Sequence, residues 1–188
     1  MKELKFSHIT KTGGTSIENI ARLKNIYWGR YDINFNNNWH IPLKELPIEI
    51  KKKYDWFIVC RNPYNRILSE YHCNWGGIGA LKISHDKKQF NKYIRYKIMN
   101  RRKLKCFGHY LEQYLYFIQG VKILRFENLK NDFDKLMKKY NLKLELNIKV
   151  NSNRKIFSVK DFDDETIKLI NQVYDKDFKI FKYQKINI

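Results

Sequence analysis

The stretch "FSHITKTGGTSIENIA", residues 6–21, sets two adjacent glycines between a short apolar run and a helical pattern. Glycines let a backbone approach an anion closely, and successive N–H groups can point inward as a nest. A helix starting at the loop's end adds unpaired N–H groups and the positive end of its dipole. Thr12, Thr15 and Ser16 contribute hydroxyls and Lys11 a mobile full charge, so the loop suits a multiply charged oxyanion. It is not a Walker A loop, G-x-x-x-x-G-K-[ST], because Lys11 precedes Gly13 and Gly14. Taken alone, the glycine pair also fits an ordinary turn into a capped helix. Thr15 and Glu18 have capping-box spacing, which predicts a helix start at Thr15.

The rest of the chain repeats this strand-to-helix plan. Residues 4–9 read as a strand, and 15–24 as a helix with Ile17, Ile20 and Ala21 on one face. "YDWFIVC", 54–60, is a continuous apolar run suited to a buried parallel strand. The following "RNPYNRILSEYH" is a helix with Pro63 in its first turn and Ile67, Leu68 and Tyr71 as its apolar stripe. "VKILRF", 121–126, is a third strand, leading into a helix over 127–140 with Leu129, Phe133, Leu136, Met137 and Tyr140 inward. A last helix is expected over 164–177, with Ile167, Ile170, Val173 and Tyr174 inward.

Three such units predict an α/β fold with a mainly parallel central sheet flanked by helices, opened by a P-loop-like strand–loop–helix. No repeat or linker interrupts the 188 residues, so 1–188 reads as one domain. Residues 26–53 and 74–104 are less regular, and 82–105 is strongly basic. In open parallel sheets ligands sit beyond the carboxyl ends of the strands, where "TKTGGTS" and "RNP" would both lie. Arg61, at a strand end, offers a guanidinium fork for a separate phosphate; a carbonyl cap or salt bridge is its plainer use.

Composition adds bounds. With 38 Lys and Arg against 19 Asp and Glu, the net charge of +19 favours anionic partners. A lysine- and asparagine-rich vocabulary also follows from genome base composition, so charge alone does not choose among them. No apolar run suggests a membrane span, and residues 1–6 lack the apolar centre of a signal peptide, which predicts a cytoplasmic protein. Cys60, Cys73 and Cys106 have no C-x-x-C spacing, so neither a disulfide framework nor a zinc site is expected.

Together these residues resemble a known family. "ITKTGGTSIE" is similar to the 5′-phosphosulfate loop of sulfotransferases that use 3′-phosphoadenosine-5′-phosphosulfate (PAPS), and "FIVCRNPYNRILSEY" to their 3′-phosphate segment. "ILRFENLKNDF" resembles their third strand and helix, and "VNSNRKIFSVKDFDDETIKLINQVYDKDFKIFKY" the C-terminal segment of the carbohydrate-type branch. The resemblance implies that Lys11, Thr12, Gly13, Gly14, Thr15 and Ser16 hold the 5′-phosphosulfate, and Arg61 and Ser69 the 3′-phosphate. Asn151, Ser152, Arg154 and Lys155 stand where the family has a polar loop near the cofactor. It also explains the position of the lysine. In this family the loop lysine serves the bridging oxygen and the sulfuryl group, and no metal is required. The implied activity is sulfuryl transfer to an acceptor hydroxyl, with an oligosaccharide or glycan as the expected partner, the basic stretch 82–105 suiting an anionic one, and small-molecule alcohols and protein tyrosine left open.

A general base must take the acceptor proton. His40, in "NNWHIPLKELP", stands where many carbohydrate-type members carry a histidine; His109 is the alternative, in a stretch resembling a family H-x-x-P-Q motif in which Glu112 replaces the proline. His8 is expected in the core or behind the site, and His72 and His85 as surface or packing residues. Trp28, Trp39, Trp75 and Tyr27 are candidates for stacking on adenine or sugar as well as for the core. Two other classes stay open: a P-loop nucleotide kinase-like enzyme using ATP and magnesium, and a basic nucleic-acid-binding module. The absent Walker A order speaks against the first, and the absence of any nucleic-acid-binding motif against the second.

Overall fold

Strands β1 (Leu4–Phe6), β2 (Asp55–Cys60) and β3 (Lys122–Arg125) form a parallel sheet in the order β1-β2-β3. The computed structural model describes residues 2–32, 39–73, 86–103, 108–146 and 156–188. Phe57 lies opposite Phe6 on one side and Lys122 on the other, which sets β2 in the middle. Its residues from Trp56 to Cys60 are all buried, as a central strand covered on both faces requires. Helix α1 (Gly14–Arg22) adds Ile17 and Ala21 to the core around the sheet. Further along, α2 (Ile48–Lys53) precedes β2, and α5 (Leu129–Lys139) adds Leu129, Phe133, Leu136 and Met137 to the same core. The fold is α/β, as expected.

The chain divides into two compact units, each with its own core. The first comprises residues 1–61 and 115–150 and contains the sheet. The second comprises residues 62–114 and 151–188. It is helical, with α3 (Pro63–Tyr71), α4 (Lys87–Met99), α6 (Asp164–Val173) and α7 (Asp175–Phe181). Phe90, Ile94, Phe157, Ile170 and Tyr174 are among the residues of its core. Among the described residues, no helix is long and apolar enough to cross a membrane.

Several boundaries differ from the expected ones. β1 ends at Phe6 rather than at residue 9, the Ser7 amide still donating to the Phe57 carbonyl at 3.0 Å before the chain leaves the sheet for the glycine loop. α1 begins at Gly14, with Gly13 as its N-cap, so Thr15 and Glu18 form no capping box. Glu18 is buried and bound elsewhere. The helix expected over 164–177 breaks at Tyr174 into α6 and α7. The region taken as irregular and basic contains α4, whose N-cap Asp86 accepts from the amides of Lys88 and Gln89. Phe90, Ile94 and Ile98 recur along its buried face, so its lysines and arginines belong to a helix rather than to a loop. Pro63 does open α3, and the Asn62 side chain caps it by accepting from Tyr64 N and Asn65 N.

Candidate active site

The carboxyl ends of the three strands meet at one place. After β1 the chain forms the loop 7–13, in which Lys11 has φ 60° and Gly13 φ 84°. A left-handed lysine is uncommon and costs about 1 kcal/mol, which the surrounding contacts must offset. Arg61, directly after β2, donates from Nη1 to the Lys11 carbonyl at 3.0 Å. Its guanidinium also lies over the ring of Phe126, which follows β3, 4.0 Å from the centroid. Arg61 therefore joins the loop after β1 to the residues after β2 and β3. The carbonyl cap, its plainer use, is thus present.

Gly13 is needed for its conformation, and Gly14 for close contact. A Cβ on Gly13 would lie 3.1 Å from Leu129 Cδ2 and 3.4 Å from the Phe126 ring. A Cβ on Gly14 would lie 2.2 Å from His8 Cδ2, inside the imidazole. The His8 ring thus packs directly on the first residue of α1. Its Nδ1 lies 2.7 Å from Glu18 Oε1, and Glu18, fully buried, also accepts from the Arg30 amide at 3.2 Å. His8 supports the loop from behind, as expected.

The loop's polar residues divide. Thr12 is buried, and its hydroxyl donates to the Ile9 carbonyl at 2.7 Å, so it holds the loop's shape. Thr15 is exposed and Ser16 half-buried, with the Ser16 amide donating to the Gly13 carbonyl at 3.1 Å. α1 has no side-chain cap and no acidic residue in its first turn. An uncapped helix start beside Lys11 and Arg61 fits a phosphosulfate group. Ser69 lies half-buried on α3, in the second unit. Asn151, Ser152, Arg154 and Lys155 fall outside the described residues, as do Trp75, His85 and Cys106.

The histidines separate clearly. His40 Nδ1 is 2.8 Å from the His8 carbonyl, and the two rings meet edge to face at 4.5 Å. A carbonyl can only accept, so Nδ1 carries the proton and Nε2 is the basic nitrogen of the neutral ring. The Tyr116 hydroxyl fixes the same residue by donating to the His40 carbonyl at 2.6 Å. His109 is buried in the second unit, with Nδ1 2.5 Å from Glu70 Oε2. Glu112, standing in place of the family's proline, is buried but held below the ordinary carboxylate range: burial pushes it up, and Arg101 and Arg102 more than offset that. His72 packs, with Nδ1 on the Leu68 carbonyl and Nε2 accepting from the Ile156 amide. Trp28 is core, its indole donating to the Leu4 carbonyl, while Trp39 lies beside His40 and Tyr27 is exposed.

Sequence reasoning gave Glu18 only as a capping-box partner, and did not single out Tyr116 or Phe126. Phe126 had a signal, since it closes a strand whose carboxyl end faces the loop. Nothing local marks Tyr116.

Comparison with known proteins agrees with this geometry. The sequence model described as the sulfotransferase family matches residues 2–184, nearly the whole chain and both compact units. No curated protein matches the chain. The chain therefore belongs to the sulfotransferase family, whose reaction takes a sulfuryl group from PAPS.

Proposed function

We propose that this protein is an O-sulfotransferase acting on a carbohydrate hydroxyl, with 1–188 as one catalytic domain built of two compact units. The observation that carries the reading is the arrangement at the strand ends: an uncapped α1 start, Lys11 in the loop before it, and Arg61 bonded to the Lys11 carbonyl. When bound, PAPS supplies the sulfuryl group and leaves as 3′,5′-ADP. Gly13, Gly14, Thr15 and Ser16 offer backbone and hydroxyl donors to its 5′-phosphosulfate, with Thr12 shaping the loop. Arg61 and Ser69 are assigned to the 3′-phosphate, and Arg154 and Lys155 to a supporting role beside the cofactor.

The residues divide the work by charge. By analogy with phosphoryl transfer, a loose transition state needs positioning and charge stabilisation more than covalent help. Lys11 offsets negative charge on the leaving group. His40, with its proton held on Nδ1 by the His8 carbonyl, takes the acceptor's proton at Nε2. What favours His40 over His109 as base is its attachment to the His8 carbonyl at the start of the glycine loop, whereas the Nδ1 of His109 lies on the buried Glu70. None of these roles needs a metal. The net charge of +19 supports an acceptor that is itself anionic.

The test is turnover with PAPS and a panel of oligosaccharides, sulfated and unsulfated, beside tyrosine peptides and small alcohols. The expected result is 3′,5′-ADP release that requires a carbohydrate. His40→Ala should lower kcat by about 10²- to 10⁴-fold while 3′,5′-ADP binding is kept. Unchanged turnover in His40→Ala removes it as the base, and the same loss in His109→Ala alone transfers the role there. Turnover that requires a peptide or a small alcohol overturns the carbohydrate assignment.

A further inference from the structure

We propose that the second unit contains a binding site for a borderline-soft divalent cation of the zinc type, formed by Glu70, Cys73 and His109. Each of the three offers one ligand atom, a carboxylate oxygen, the thiol sulfur or an imidazole nitrogen, and these atoms all lie within 4.8 Å of one another. All three residues are buried, at 0%, 7% and 8% exposure. A thiolate, an imidazole and a carboxylate form a donor set that suits zinc and disfavours magnesium or calcium, which take oxygen ligands. Tetrahedral zinc holds its donors at about 2.0–2.3 Å, so the wider pairs of this cluster must close in while His109 Nδ1 and Glu70 Oε2, 2.5 Å apart, spread to admit the ion.

Local structure brings the donors together from two segments. Glu70 lies in the last turn of α3, and the Cys73 amide donates to the Glu70 carbonyl at 3.0 Å, so the turn continues far enough to keep both side chains on one side. His109 comes from a turn in which Gly108 and Tyr110 both have positive φ. The neighbouring His72 is committed elsewhere, to the Leu68 carbonyl and the Ile156 amide.

A second observation points to the same place. The Tyr110 hydroxyl is buried and has no hydrogen-bond partner, although a buried hydroxyl without one is costly. It lies within electrostatic reach of Glu70 and Cys73. A cation held there, or a water bound to it, would satisfy this hydroxyl. Balance is simple. The Cys73 thiol loses its proton to solvent on binding, and His109 exchanges its bond to Glu70 for a bond to the metal, its Nδ1 proton passing through solvent to Nε2. The cation then fastens the end of α3 to the 108–110 turn. Zinc finger-like cysteine spacing is absent, and the E-x-x-C at a helix end with a distant histidine gives no sequence signature of its own.

Cobalt is the probe. The full chain, stripped with a chelator, is titrated with Co²⁺ and then with Zn²⁺. The expected result is a near-ultraviolet thiolate-to-cobalt charge-transfer band that saturates at one equivalent and is bleached by Zn²⁺. The band should be lost in Cys73→Ser and kept in Cys60→Ser. A measurement free of variants uses the wild-type protein: Zn²⁺ should slow alkylation of Cys73, followed by peptide mass spectrometry, at least tenfold. No charge-transfer band, a band that survives in Cys73→Ser, or alkylation unaffected by Zn²⁺ would each overturn the proposal.

Discussion

Gly14 carries the sharpest constraint on a single residue. Its space is already filled, because a Cβ would enter the His8 ring at 2.2 Å, and His8 is held in place by the buried Glu18. Relief would require moving an imidazole that also packs edge to face against the His40 ring. Gly14→Ala should therefore destabilise the fold by about 2 kcal/mol or more and weaken 3′,5′-ADP binding, whereas Thr15→Ala, at an exposed position, should leave stability nearly unchanged. Thermal unfolding of the two variants checks this. The glycines and Lys11 were legible as an anion loop because their chemistry is local. Glu18 was misread for the opposite reason. Its spacing from Thr15 imitates a capping box, but its partners His8 and Arg30 approach from other segments. Arg61's attachment to the Lys11 carbonyl and the Phe126 ring is equally non-local.

At the scale of elements, α7 is tied to the 113–114 segment by one carboxylate. Asp177, fully buried, accepts from the amides of Gln113 at 2.9 Å and Tyr114 at 2.7 Å. Burial pushes its carboxyl up to about 6, more than Arg66 and the two amides pull it down. The folded state therefore holds this proton more tightly than the unfolded chain does. The resulting stabilisation is full below the unfolded value near 4 and is lost as pH rises through about 6. Asp177→Asn removes this dependence. Between pH 4 and 7 the wild type should lose on the order of 2 kcal/mol relative to Asp177→Asn, read from denaturant unfolding at each pH. A flat difference would contradict the buried, protonatable carboxylate. The helices were legible where apolar periodicity was unbroken, as in α5. α4 was missed although Phe90, Ile94 and Ile98 carry the period, because the lysines and arginines between them dominate the stretch. No glycine or proline announces the break at Tyr174, whose hydroxyl instead donates to the Tyr110 carbonyl.

For the molecule as a whole, three parallel strands carry a glycine loop after the first and an arginine after the second, in a chain that belongs to the sulfotransferase family. That arrangement was readable because each strand-to-helix unit is continuous in sequence. The division into two compact units was not, since each unit is made of two separated segments. The central claim is that the loop and Arg61 bind the adenosine bisphosphate end of the sulfuryl donor. It is tested most directly by calorimetric titration of the full chain with 3′,5′-ADP and, in parallel, with ATP and magnesium. The account predicts one saturable site for 3′,5′-ADP, weakened at least tenfold in both Lys11→Ala and Arg61→Ala, with ATP–magnesium much weaker. Preference for ATP–magnesium, or 3′,5′-ADP affinity unchanged in both variants, would contradict it.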